Sequence, residues 1–345
     1  MPTSQPVSSP SIDIFFETVH AFHRTAALKA AIELDLFTAI DDGATTADGL
    51  AAKCGSEARG IRILCDYLVV IGWLRKNGDQ YALTPESATF TSKRSPQYVG
   101  QAIEFLLAAP QIEAFANLTA AVRNGGIVTS EAGVEGGAVI PENPLWIQFA
   151  RAMMPLMAFP AELLAQLLVA DLPRTNCRVL DVAAGHGLYG LAIARHNSQA
   201  EVTALDWKNV LAVAQENARA AGVDGRFHTL AGSALDLPFG EDYDLVLITN
   251  FLHHFDPPTC KKLLRKVHTA LKPGGRAAIL EFIPNEDRVS PPVPAAFSLM
   301  MLATTPTGDA YTYSQYNALL KEVGFRSSEL HPLLPTYFRA VVALK

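Results

Sequence analysis

Residues 179–190 read Val-Leu-Asp-Val-Ala-Ala-Gly-His-Gly-Leu-Tyr-Gly, and an acid, Asp206, closes the next apolar run. This pattern predicts a strand, a tight glycine turn and a helix in immediate succession. Residues 177–184 have the continuous apolar character of a buried strand, and 188–197 (LYGLAIARHN) have helical spacing. Gly185 and Gly187 lie between them, where a missing Cβ lets backbone N–H groups approach a ligand at a helix N-terminus. Asp206 ends 201–206 (EVTALD), the place where an acid accepts hydrogen bonds from ribose hydroxyls. The expectation is a nucleotide-like cofactor at the mouth of this unit.

Gly185-x-Gly187-x-x-Gly190 also matches the dinucleotide fingerprint, although short glycine patterns are common. Asp181 argues against that cofactor. It stands four residues before Gly185, where a carboxylate repels a pyrophosphate and attracts an ammonium or sulfonium group. S-adenosylmethionine is therefore preferred over a nicotinamide. The end of the chain agrees. Strands are predicted at 177–184, 201–206, 226–231, 243–249 and 276–282, alternating with helices at 188–197, 209–222, 258–271 and 313–323. Two further strands, 326–333 and 337–344, leave no room for a helix between them and can join only as an antiparallel hairpin. A parallel sheet finished in this way is the α/β class I methyltransferase fold, Rossmann-like with an antiparallel terminal hairpin.

The 345 residues suggest more than one domain. Residues 1–10 are expected to be a disordered leader without signal-peptide character, which points to a cytoplasmic protein. Residues 11–108 predict helices followed by a hairpin around Asn77-Gly78. Thr45 or Thr46 caps a short helix, Ser56 caps a longer one, and Phe15, Val19 and Phe22 recur at helical spacing before them. This is a winged-helix pattern. Seven basic and seven acidic residues between Asp41 and Ser95, in a chain of net charge −6, leave no grip on nucleic acid. The unit is expected to be structural or dimer-forming. Residues 109–172 predict a helical linker, broken at Gly125-Gly126 and at 133–144, in which Phe149, Met153 and Met154 either pack a core or wall an apolar pocket. Its most apolar part, 149–170, is interrupted by Arg151, Pro155, Pro160 and Glu162, so no membrane span is expected. Residues 173–345 form the cofactor-binding catalytic domain. The four cysteines show neither a CxxC pair nor zinc spacing, and no metal site is expected.

Asn250-Phe251-Leu252-His253-His254-Phe255-Asp256, with Cys260 after it, and Thr312-x-x-x-Tyr316-x-x-Leu319-x-x-x-x-Gly324-Phe325 complete a wider pattern. The chain resembles, over nearly its whole length, the small-molecule O-methyltransferases of the caffeic-acid, acetylserotonin and bacterial polyketide type. These carry a winged-helix dimerisation domain. The resemblance implies a homodimer acting on a small aromatic or polyketide-like hydroxyl. It implies that His253 is the catalytic base, that Asp181, Gly185 and Gly187 surround the methionyl end of the cofactor, and that Asp206 holds its ribose. Trp207, Ser233 and Ala234 would meet the adenine and Asn250 would stand near the cofactor. Met153 or Met154 would border the acceptor. The expected pocket also includes Phe149, His254, Met300, Met301, Tyr311 and Tyr313.

The sequence departs from the family at three places. Ser233 stands for an acid near the adenine, His254 for an acid after the base, and Ala310 for a glutamate that orients the base in many members. Glu281, at the end of the fifth strand of the α/β domain, is the remaining acid able to fix the tautomer of His253. Two readings of His253 stay open, a general base or a packing residue. Carbon or nitrogen methylation, non-methylating use of the cofactor, and a cofactor-sensing winged-helix regulator stay open as other functions.

Overall fold

The computed structural model describes residues 10–127 and 140–345. All but the last residue of the leader expected at 1–10, and much of the break at 133–144, lie outside the described residues. The chain divides into two compact units, 1–103 and 104–345.

The first unit contains α1 (Asp13–Val19), α2 (Ala21–Glu33), α3 (Leu36–Asp41), α4 (Ala47–Cys54) and α5 (Ala58–Val70). A hairpin of β1 (Leu74–Asn77) and β2 (Gln80–Leu83) and then α6 (Pro85–Phe90) follow. Thr46 caps α4 by accepting the Gly49 N–H at 3.2 Å. Ser56 does not cap α5, as the sequence had suggested. Glu57 holds that position, and the Ser56 hydroxyl turns back to the Cys54 carbonyl. Leu36, Phe37, Leu50, Ile61 and Leu68 form the core of this unit. Phe15, Val19 and Phe22 take no part in it. Together with Ile14 and Phe16 they leave an apolar face exposed.

The second unit begins with α7 (Ile103–Leu106), α8 (Ala109–Ala116), α9 (Leu118–Asn124), α10 (Pro144–Ala152) and α11 (Met154–Val169). The α/β part follows: β3 (Cys177–Val182), α12 (Leu188–His196), β4 (Ala200–Asp206), α13 (Lys208–Ala220), β5 (Phe227–Ala231) and β6 (Tyr243–Thr249). It ends with α14 (Pro257–Ala270), β7 (Leu271–Glu281), α15 (Pro292–Thr304), α16 (Tyr313–Val323), β8 (Ser327–Pro332) and β9 (Arg339–Leu344). The sheet order is β5-β4-β3-β6-β7-β9-β8. Neighbours from β5 to β7 pair in parallel, whereas β9 runs antiparallel to both β7 and β8. The chain reverses its winding direction between β3 and β6. The loops after those two strands therefore diverge and open a crevice at the carboxyl edge of the sheet.

Helices α10 and α11 meet at Met153 with a bend of 68°. Among the described residues no single helix is long and apolar enough to cross a membrane, and the bent pair matches a span by length and composition only. Much of α11 is buried in the protein, including Met157, Leu164 and Leu168.

Candidate active site

Every strand from β3 to β7 delivers its last residues to the crevice. After β3 the chain turns through Ala183 and Gly185, both at positive φ, into the N-terminus of α12. Asp206, at the end of β4, stitches this turn to the next one. Its Oδ2 accepts the Gly185 N–H at 2.8 Å and its Oδ1 accepts the Trp207 N–H at 2.7 Å. Burial raises the Asp206 carboxyl to about 6 against the opposing pull of these two amides.

Two hollows share this edge. A small slot of about 30 Å³ is lined by residues that include Asp206, Trp207, Ser233, Ala234, Phe251 and Phe255. A chamber of about 250 Å³ opens beside it, with Ala183, Asp206, Trp207 and Phe251 common to both. The chamber is walled by Phe149 and Met153 from α10 and its junction, Phe297, Met300 and Met301 from α15, and Asn250, His253 and His254 after β6. A Cβ on Gly185 would find only Phe149, 3.9 Å away, so its backbone is open to a ligand.

His253 sits in a short turn, 252–254, and is buried. Its Nδ1 lies 2.5 Å from Glu281 Oε2, while Glu281 Oε1 accepts the N–H groups of Phe251 and Leu252, each at 2.9 Å. One carboxylate thus closes the turn and holds the ring. With Oε1 already accepting two amides, the proton between the pair sits on Nδ1, which leaves Nε2 as the bare nitrogen. Phe297 meets the ring edge-on, with centroids 4.9 Å apart. Asp309 N–H donates to the His253 carbonyl at 3.0 Å.

A glycine that the sequence did not single out permits this approach. A Cβ on Gly308 would stand 2.3 Å from the His253 carbonyl oxygen and 2.6 Å from Thr305 Oγ1. Gly308→Ala is therefore expected to shift the turn and lower kcat about tenfold or more, with cofactor affinity within about twofold. Steady-state kinetics beside a cofactor titration would check this, and an unchanged kcat would refute it.

Several expected site residues stand elsewhere. Tyr311 is in the core, with its hydroxyl donating to the Phe255 carbonyl at 2.5 Å, and it does not reach the chamber. Tyr313 donates to the Ser328 carbonyl. The bend at Met153 turns Met154 toward α13, where Asn217 Nδ2 donates to its sulfur. Met157, one turn later, faces the chamber and accepts the Tyr189 hydroxyl on its sulfur.

Asp181 lines neither hollow. It is fully buried beneath the turn, where Oδ2 accepts the Gly190 N–H at 3.0 Å, and burial raises its carboxyl to about 7. Gly187 is likewise directed inward. A Cβ there would press on Ala214 and Phe227. Both residues shape the turn from below. His186, between the two glycines, is buried, accepts the Leu188 N–H on Nδ1, and is lowered to about 4 by burial. Among the described residues no cluster of metal-ligating side chains occurs.

The comparisons with known proteins agree with this geometry. Residues 179–275 match the family described as a methyltransferase domain, and residues 16–93 match the O-methyltransferase dimerisation domain. A solved candidate O-methyltransferase from Nostoc punctiforme is 50% identical, with a TM-score of 0.92, over 98% of this chain and 100% of its own. The chain belongs to the S-adenosylmethionine-dependent O-methyltransferases with an N-terminal dimerisation domain.

Among more distant relatives of this methyltransferase is the 3-hydroxy-5-methyl-1-naphthoate 3-O-methyltransferase of Streptomyces sahachiroi. It is 28% identical over 301 residues, 87% of this chain and 86% of that one. Human N-acetylserotonin methyltransferase, solved in complex with S-adenosylmethionine, shares the fold, with a TM-score of 0.82 and 21% identity over 100% and 99% of the two chains. The residues present fit that cofactor. The slot is lined by the rings of Trp207, Phe251 and Phe255, flat apolar surfaces that a purine needs. On the chamber wall, Asn250 Oδ1 is a buried acceptor without a partner in the protein, suited to a cationic methionyl end.

Proposed function

We propose that this methyltransferase acts on the hydroxyl of a small aromatic or polyketide-like acceptor, with His253 as general base and Glu281 as the group that orients it. The observation that carries this reading is the 2.5 Å contact between His253 Nδ1 and Glu281 Oε2 at the wall of an apolar chamber. Bound S-adenosylmethionine supplies an electrophilic methyl carbon. Asp206 would take the ribose hydroxyls, Ser233, Ala234 and Trp207 would border the adenine, and Gly185 and Asn250 would face the methionyl end. A phenol ionises near pH 10, so only about one molecule in a thousand is a phenolate at neutral pH. His253 Nε2 removes the proton as the oxygen attacks. The chamber walls position the ring and keep water from the reacting atoms. Burial of an aromatic system of 150–250 Å² contributes about 4–6 kcal/mol before the loss of its freedom is counted. Glu281 takes over the orienting role that Ala310 leaves vacant, which supports transfer over passive cofactor binding.

The exposed apolar face of α1 and α2 supports a homodimer. Native mass spectrometry with added S-adenosylmethionine, followed by incubation with methyl-labelled cofactor and a panel of phenols, tests the whole reading. The expected result is a dimer with one cofactor per subunit and label on a phenolic oxygen. Label on nitrogen or carbon alone, or none on any acceptor, would refute the proposed reaction.

Cofactor binding carries its own pH signature. Hydrogen bonds from ribose hydroxyls favour the ionised form of Asp206, so binding expels a proton wherever the free carboxyl still holds one. Affinity for S-adenosylmethionine is expected to rise up to about tenfold per pH unit below about 6 and to level off above it. Asp206→Asn should flatten that slope as well as weaken binding. Calorimetry in two buffers of different ionisation enthalpy would count the proton, and finding none released at pH 5.5 would contradict the assignment. Stability without cofactor runs the other way. Asp181 and Asp206 are both raised in the folded state, so the stability that they contribute is fully present below about pH 4. It is lost as pH rises through about 6 to 7.

A further inference from the structure

Three observations about the chamber together restrict the acceptor more narrowly than its apolar walls do. The first is charge. Among the described residues lining the chamber there is no lysine or arginine, and the one carboxylate, Asp206, belongs to the cofactor side. Residues 1–9 and 128–139 contain no lysine or arginine either. An acceptor bearing a carboxylate would be buried there with no cation from this chain to pair with, which costs several kcal/mol.

The second is the tautomer of His253, whose Nδ1–H is committed to Glu281, so that Nε2 accepts. The third concerns the neighbouring ring. His254 also lines the chamber, with its ring centroid 4.3 Å from that of His253 and 5.7 Å from that of Trp146, which it meets near a right angle. Its Nδ1 is buried and has no hydrogen-bond partner. Buried N–H groups without an acceptor are rarer and costlier than buried lone pairs. The ring therefore keeps its proton on Nε2, the nitrogen left to address the chamber. Burial and the adjacent His253 hold His254 well below the ordinary histidine range, so it stays neutral. The two side chains thus present an acceptor and a donor side by side.

We propose that the acceptor is an uncharged aromatic whose reacting hydroxyl has a hydrogen-bond-accepting oxygen on the adjoining carbon, received by His254 while His253 takes the hydroxyl proton. His254 is then a positioning and specificity residue. The proposal rests on the reading of His253 as the base, and its test separates the two. Three probes share one framework: 2-naphthol, 3-methoxy-2-naphthol and 3-hydroxy-2-naphthoate. Their dissociation constants are measured at pH 8 on the full-length protein saturated with S-adenosylhomocysteine, and methyl transfer is measured separately with S-adenosylmethionine.

The wild type is expected to bind the methoxy compound about fivefold more tightly than 2-naphthol, as one net hydrogen bond gives. It should bind the carboxylate at least about tenfold more weakly than the methoxy compound. His254→Phe should abolish the methoxy preference, His254→Asn, which keeps a donor, should retain most of it, and His254→Asp should reverse it. A methoxy preference that survives His254→Phe, a wild type that prefers the carboxylate, or failure of all three probes to bind overturns the proposal. Selective binding without methyl transfer to any probe would uphold it and overturn the base assignment instead.

Discussion

Conversion of His253 to alanine is expected to lower kcat by about 10²–10⁴, while affinity for S-adenosylmethionine stays within about twofold. The ring contributes to neither the turn after β3 nor the slot beside Ser233 and Ala234, so cofactor binding is insulated from the change. The deficit should also shrink as the solution becomes more alkaline. A phenolic acceptor ionises without help as pH approaches its own value near 10, recovering about tenfold in rate for each pH unit. Single-turnover transfer of labelled methyl, measured from pH 7 to pH 9.5, would show both effects. Activity within fivefold of the wild type at pH 7 would assign His253 to packing.

Glu281→Gln should be about as damaging for a different reason. The amide oxygen can still accept the Phe251 and Leu252 N–H groups, but its NH₂ would face His253 Nδ1. That Nδ1 would then have to accept, moving the proton onto Nε2, where it blocks the base. In serine proteases the corresponding change, with geometry intact, costs about 10⁴ in kcat. A loss of about 10³–10⁴ is expected here, with thermal stability close to wild type. Glu281→Ala should differ in kind. It strands two buried N–H groups, each worth about 1–3 kcal/mol, and should lower the melting temperature as well. Equal activity in Glu281→Gln and the wild type would remove the orienting role.

The parts of this arrangement that could be read in advance are those fixed by local rules. The short gap between the last two strands forced an antiparallel end to the sheet, and β8 and β9 pair in that way. An acid at the end of a strand beside the histidine turn pointed to Glu281, and the two side chains are in contact. The misreadings arise where tertiary packing decides. Helix α15 was not foreseen because Pro291, Pro292 and Pro294 resemble a loop. In fact they occupy the cap and the first turn, where a missing N–H costs nothing. It brings Phe297 to His253, a contact that no spacing rule reveals. Met157 takes the place at the chamber that Met154 was expected to hold, because the chain bends at Met153. Tyr311 is near the site in sequence, but its hydroxyl is engaged by the Phe255 carbonyl in the core. Asp181 was weighed as a charge facing the ligand, whereas it is a buried support for Gly190. The exposed aromatic face of α1 had helical periodicity but no signal for which side of it would be covered.

Glu281 closes the 251–254 turn and aligns His253 through a single carboxylate. Drift in this lineage therefore has little freedom to adjust the strength of the base without also loosening the scaffold, so that residue should resist change even where acceptors diverge. Diversification has an easier route through α10 and α15, whose Phe149, Phe297, Met300 and Met301 shape the chamber but hold no part of that carboxylate's hydrogen bonding. Laboratory evolution toward new acceptors should accumulate its first tolerated changes on those two helices.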